Sequence, residues 1–125
     1  MGVKVLIVDD SPFMRAVLKA KLEAAGFKVV GEARDGEEAV DVFRRSVPDV
    51  VLMDVIMPGV DGIEGLKRIM DVDPNARVVM ITAVGQRELA KLAMRLGAIG
   101  VLVKPFDDAS LVRVVREAAG VVECL

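Results

Sequence analysis

The chain contains no histidine, no tryptophan and no tyrosine. Without histidine there is no His-based triad, no imidazole metal site and no phosphohistidine on the chain itself. Four Phe are the only aromatics. They read as core residues and leave no platform for stacking nucleic-acid bases. The net charge of -2 likewise gives no electrostatic footprint for nucleic acid. Cys124 is the single cysteine, so no internal disulfide forms, which fits a reducing cytoplasm. No apolar run approaches the ~18 residues of a membrane span. Met1-Gly2-Val3-Lys4 leads straight into a strand pattern and lacks a signal-peptide layout. The expected setting is cytoplasmic, without membrane insertion.

What is present is a globular composition, 54% hydrophobic and 29% charged over 125 residues, enough for one domain with one core. Short apolar runs at residues 3–8, 28–33, 49–53, 77–82 and 99–103 read as strands. Four of them are nearly continuous Val, Ile, Leu and Met, as expected of parallel strands covered on both faces. The run at 28–33 is more polar and contains Gly31, which suits an edge. Helical periods separate the strands. Their inward stripes are Phe13/Val17/Leu18/Leu22, Ala39/Val40/Phe43, Ile63/Leu66/Met70, Leu89/Leu92/Ala93/Leu96 and Leu111/Val112/Val115/Ala118. Ser11-Pro12 supplies a cap and an N1 proline. Asp35 and Asp61 open capping-box-like starts and need no other role. Gly26 and Gly97 sit where helices stop.

Five βα units with right-handed crossovers predict a flavodoxin-like (βα)5 three-layer sandwich with a parallel sheet of order 2-1-3-4-5. One domain is expected over residues 1–119, with a short apolar tail at 120–125 that is given no function. In this topology ligands bind at the carboxyl ends of the strands, where the first and third are neighbours. Asp9 and Asp10 end the first strand and Asp54 the third; Thr82 and Lys104 end the fourth and fifth. Two carboxylates about 4 Å apart repel by roughly 4 kcal/mol at an effective dielectric near 20. A hard divalent cation with oxygen ligands, such as Mg²⁺, relieves that repulsion. The stem of Lys104 passes apolar surface while its ammonium reaches the same place.

Taken together, Val5-Leu6-Ile7-Val8-Asp9-Asp10-Ser11, Pro48-Asp49-Val50-Val51-Leu52-Met53-Asp54, Met57-Pro58-Gly59-Val60-Asp61-Gly62, Val79-Met80-Ile81-Thr82-Ala83, Gly97-Ala98 and Val103-Lys104-Pro105-Phe106 carry a resemblance. The chain resembles response-regulator receiver domains, and among them the stand-alone chemotaxis response regulators. That resemblance implies a phosphorylation-activated switch of a two-component system. Asp54 would be the phosphoacceptor, and a partner histidine kinase the phosphodonor. Mg²⁺ would be held by Asp10, Asp54 and the backbone carbonyl of Ile56, with Asp9 acting through a water. Lys104 would contact the phosphoryl group and Thr82 would swing to hydrogen-bond it. The Lys104-Pro105 bond would be cis. The protein would catalyse its own phosphorylation but no turnover of a separate substrate.

Two departures from the family pattern and one basic stripe qualify the resemblance. Val101 stands where relatives commonly carry Tyr or Phe, so a coupled rotation of Thr82 and a ring is not available. Ile56 and Val84 stand where polar groups often orient a hydrolytic water, which predicts slow self-dephosphorylation and a separate phosphatase. Arg87, Lys91 and Arg95 recur on one side of the fourth helix, with Arg113 and Arg116 on the fifth. In this family the fourth helix, fifth strand and fifth helix form the usual output face, so Lys91 and Arg95 would meet an acidic protein target. Two other readings stay open. The sequence also resembles receiver portions of larger regulators with methylesterase or DNA-binding outputs. A Mg²⁺-dependent phosphohydrolase with an aspartyl nucleophile is the other, although Ile56 replaces the second acid such enzymes carry.

Overall fold

The computed structural model describes residues 2–120. Five strands, β1 (Lys4–Val8), β2 (Lys28–Ala33), β3 (Val50–Asp54), β4 (Val78–Ala83) and β5 (Gly100–Lys104), form one sheet of order β2-β1-β3-β4-β5. Every neighbouring pair is parallel. Five helices alternate with them: α1 (Pro12–Ala24), α2 (Gly36–Ser46), α3 (Gly62–Val72), α4 (Arg87–Arg95) and α5 (Asp108–Ala118). Fold class and strand order are those expected from the sequence.

The sheet separates two cores. Leu6, Val8, Met53 and Met80 pack with α2, α3 and α4 through Phe43, Leu66, Ile69 and Ala93. Val5, Ile7, Leu52 and Ile81 pack with α1 and α5 through Leu18, Leu22, Leu111 and Val115. Adjacent residues of one strand serve opposite cores because side chains alternate across the sheet. This is why the central strands must be apolar at every position. Each fully buried Leu, Ile or Val contributes about 1.5–3 kcal/mol.

Helix starts follow the sequence signals. Ser11, Asp35 and Asp61 accept from the backbone N–H of Met14, Glu38 and Glu64. The reciprocal half of the expected capping boxes does not form. Glu38 instead accepts from Arg34 N–H, and Glu64 pairs with Arg68. Gly26 and Gly97 end α1 and α4 at φ 94 and 115, left-handed values that glycine adopts without strain.

Two expected core residues lie outside the core. Phe13 is 74% exposed, on the first turn of α1, which starts just past the carboxyl end of β1. Leu92 is 37% exposed; the short α4 turns Leu89, Ala93 and Leu96 inward instead. The expected tail at 120–125 lies outside the described residues, apart from Gly120.

Candidate functional site

β1 carries the chain to Asp9, whose N–H still donates to Ala33 O of β2 at 3.0 Å. The strand is apolar up to that point, so the first carboxylate is drawn below the surface. Asp9 is 2% exposed. Its Oδ1 accepts from Ser11 N–H at 2.8 Å, and its backbone carbonyl accepts from Arg15 Nη1 at 2.6 Å. Its Oδ2 is buried with no partner among the described residues. Burial pushes the Asp9 carboxyl above its ordinary range; the Ser11 N–H opposes this, Asp54 adds to it, Lys104 opposes it and Asp10 adds to it. Asp10 is exposed.

Asp54 is the last residue of β3, in register with Ile81 of β4, so it lies within the ladder rather than just past it. The backbone completes this rung whatever the side chain is. Asp54 Oδ1 accepts from Ile56 N–H at 3.2 Å. Asp54 Oδ2 meets Lys104 Nζ at 3.0 Å. Lys104 starts from β5, two strands away, and reaches across the end of β4. The Lys104-Pro105 bond is cis.

One oxygen from each of Asp9, Asp10 and Asp54 falls within 4.8 Å of the others. Three carboxylates thus face one ammonium. The orphaned Asp9 oxygen and the all-oxygen donor set fit a hard divalent cation such as Mg²⁺. Thr82 is buried on β4, one residue past Ile81. No hydrogen bond joins its hydroxyl to the carboxylates. Strand alternation places Asp9, Asp54 and Lys104 with Ile7, Leu52 and Leu102 on the α1/α5 side of the sheet. It places Thr82 with Met80 on the other side. Four of the five chemically suggestive strand-end residues therefore converge, and Thr82 stands behind them. Sequence reasoning overlooked Arg15, which clamps the Asp9 carbonyl and pairs with Glu32 at 3.2 Å. No periodicity or motif marks it.

The family described as "Response regulator receiver domain" matches residues 5–116. The chain belongs to that family. The receiver is 42% identical over 119 residues to the chemotaxis protein CheY of Thermotoga maritima, an alignment covering 95% of this chain and 99% of the relative. Among solved structures, it is 41% identical to a chain in the CheX-CheY-BeF3-Mg+2 complex from Borrelia burgdorferi. There the TM-score is 0.87, with 92% of this chain and 87% of the other covered. It is also 37% identical to the response regulator domain of Thermotoga maritima CheB, at a TM-score of 0.88 and covering 98% and 100%. Receivers are signalling domains of two-component systems rather than conventional enzymes, and they bind Mg²⁺ at an acidic pocket. They take phosphate from histidine kinases and act on protein targets. No helix among the described residues is long and apolar enough to cross a membrane.

Proposed function

We propose that this receiver, spanning residues 1–119, is a switch set by phosphorylation of Asp54 and serving chemotaxis. The observation that carries the reading is the Asp54–Lys104 contact at 3.0 Å beside two further carboxylates. In the proposed reaction a carboxylate oxygen of Asp54 forms the new O–P bond. The bond from phosphorus to the kinase histidine nitrogen breaks, and its electron pair leaves with the imidazole. Lys104 neutralises charge on the phosphoryl oxygens, and the Ile56 N–H holds the carboxylate in place. Asp10, Asp54 and the Ile56 carbonyl would hold Mg²⁺, with Asp9 acting through a water. When bound, the cation offsets charge shared by carboxylate and phosphoryl oxygens. Thr82 turns toward the new group from behind the strand end. Ile56 and Val84, 56% and 78% exposed, offer no polar group to orient a hydrolytic water. Loss of phosphate is therefore slow, and a separate phosphatase resets the switch.

The output surface is a groove of about 490 Å³ lined by Arg87, Ala90, Lys91, Met94, Arg95 and Val101. Val101 supplies no ring to fill it. An apolar floor with a basic rim suits an acidic target segment carrying an apolar anchor. Among the described residues Lys91 is held only by a 3.7 Å contact with Glu88, both side chains well exposed, which leaves it available. Lys91→Glu should abolish target binding in both phosphorylation states, and unchanged binding would remove the stripe from the interface.

Incubation with Mg²⁺ and a small phosphodonor, followed by intact mass, tests the central step. Wild type should gain and retain one phosphoryl group, and Asp54→Asn none. Multiple turnovers of the donor would instead favour a phosphohydrolase. The likeness to a CheB receiver supports a second reading, in which these residues form the receiver portion of a larger regulator.

A further inference from the structure

Four of the five helices open with a side chain turned forward onto its own first turn, from Ser11, Asp35, Asp61 and Asp107. The cap residue of α4, Gln86, makes no such bond. Its Oε1 turns back and accepts from Ala83 N–H at 2.7 Å, while its own N–H donates to Ala83 O at 3.1 Å. The turn from β4 to α4 is thus closed twice between the same two residues.

The direction of the Ala83 N–H gives this closure its significance. Successive residues of a strand send their backbone polar groups to alternate neighbours. Arg77 O and Ile81 O accept from Val51 and Val55 of β3, whereas Val78 O accepts from Ile99 N–H on the β5 side. Ala83 lies two residues beyond Ile81, so its N–H faces β3. The next acceptor in that ladder, Val55 O, is already taken by Gly62 N–H at 2.9 Å. The Ala83 donor therefore has no strand partner, and only the Gln86 side chain occupies it. Ala83 is also in register with Lys104, whose ammonium reaches over this point to Asp54. A group added to the Asp54 oxygen facing Lys104 grows toward the end of β4 and that donor.

We infer that Gln86 is a latch between the Asp54 site and α4: its side-chain oxygen holds the Ala83 N–H until a phosphoryl oxygen on Asp54 displaces it and frees the start of α4. The inference rests on the reading of Asp54 as phosphoacceptor. It gives a chain with Val101 in place of a ring a physical route from the site to the groove on α4. Gln86 is a positioning residue; it forms no bond to phosphorus.

The test measures amide hydrogen exchange at residues 90–93, the first amides of α4 that are bonded within the helix, with and without Mg²⁺ and acetyl phosphate, while intact mass counts the phosphoryl group. In wild type, phosphorylation should speed exchange there by ~5-fold, the size of one net hydrogen bond. In Gln86→Ala the unphosphorylated chain should already exchange at the faster rate, with little further rise. Gln86→Glu keeps an acceptor and adds a charge, so it should need more donor for half-modification. The latch is overturned if Asp54 is modified and exchange on α4 either stays constant in wild type or rises equally in Gln86→Ala. If wild type gains no phosphoryl group at all, the phosphoacceptor reading fails and takes the latch with it.

Discussion

Asp9 shows what a single buried carboxylate costs. Its carboxyl is held above its ordinary range by burial first, so the folded protein binds its proton more tightly than the unfolded chain does. Stability of the metal-free protein therefore falls as pH rises through the window from the ordinary carboxylate value up to the raised one. Asp9→Asn removes that titration and keeps an oxygen for Ser11 N–H. In chelator, the variant should melt above wild type at neutral pH, with the gap closing as pH falls to the ordinary carboxylate range. A gap that does not vary with pH would remove burial of the charge as the cause. Val47 carries a different strain. It caps α2 at φ 47 and ψ 61, a left-handed conformation that is costly for a β-branched residue. Val47→Gly should raise stability by about 1 kcal/mol in urea titrations. At this scale the sequence is legible where a charge interrupts an apolar run, as at Asp9, Asp54 and Lys104. It is silent where the cause is three-dimensional. Neither the φ of Val47 nor the backward turn of Gln86 leaves a trace in residue spacing.

Helix positions were readable from apolar period and caps, with two exceptions. Phe13 and Leu92 obey the period and are exposed all the same, at 74% and 37%. Periodicity reports a direction around a helix axis; it does not report how far the neighbouring sheet extends. The start of α3 shows the opposite limit, with too little room. A Cβ at Gly62 would overlap the Asp54 carbonyl oxygen and lie 2.8 Å from Val55 Cα. Both are backbone atoms, so neither can rotate aside. Gly62→Ala should cost about 3 kcal/mol in chemical denaturation. Because the displaced backbone belongs to Asp54, phosphorylation by a small donor should also slow. A variant of wild-type stability would show that the α3 start yields more than its packing implies.

For the whole molecule, strand order followed from a few rules on connection and handedness, because near-continuous apolar strands admit few arrangements. The meeting of β1 and β3 came with that order, and with it the meeting of their acids. Which face of the sheet each strand-end residue occupies did not, since one residue of register reverses it; Thr82 is the case in point. A cation that binds only the folded chain should add stability by mass action, about 2.7 kcal/mol at a concentration of one hundred dissociation constants. Mg²⁺ should accordingly raise the melting temperature of wild type, and Asp10→Asn should lose most of the increment. Finally, Val101 forms part of the groove floor beside Met94, in a chain without Trp or Tyr. An indole introduced at that one position would be the sole strong fluorophore of the molecule. Its emission wavelength would then report, without any label, whether the cleft holds water or a bound side chain.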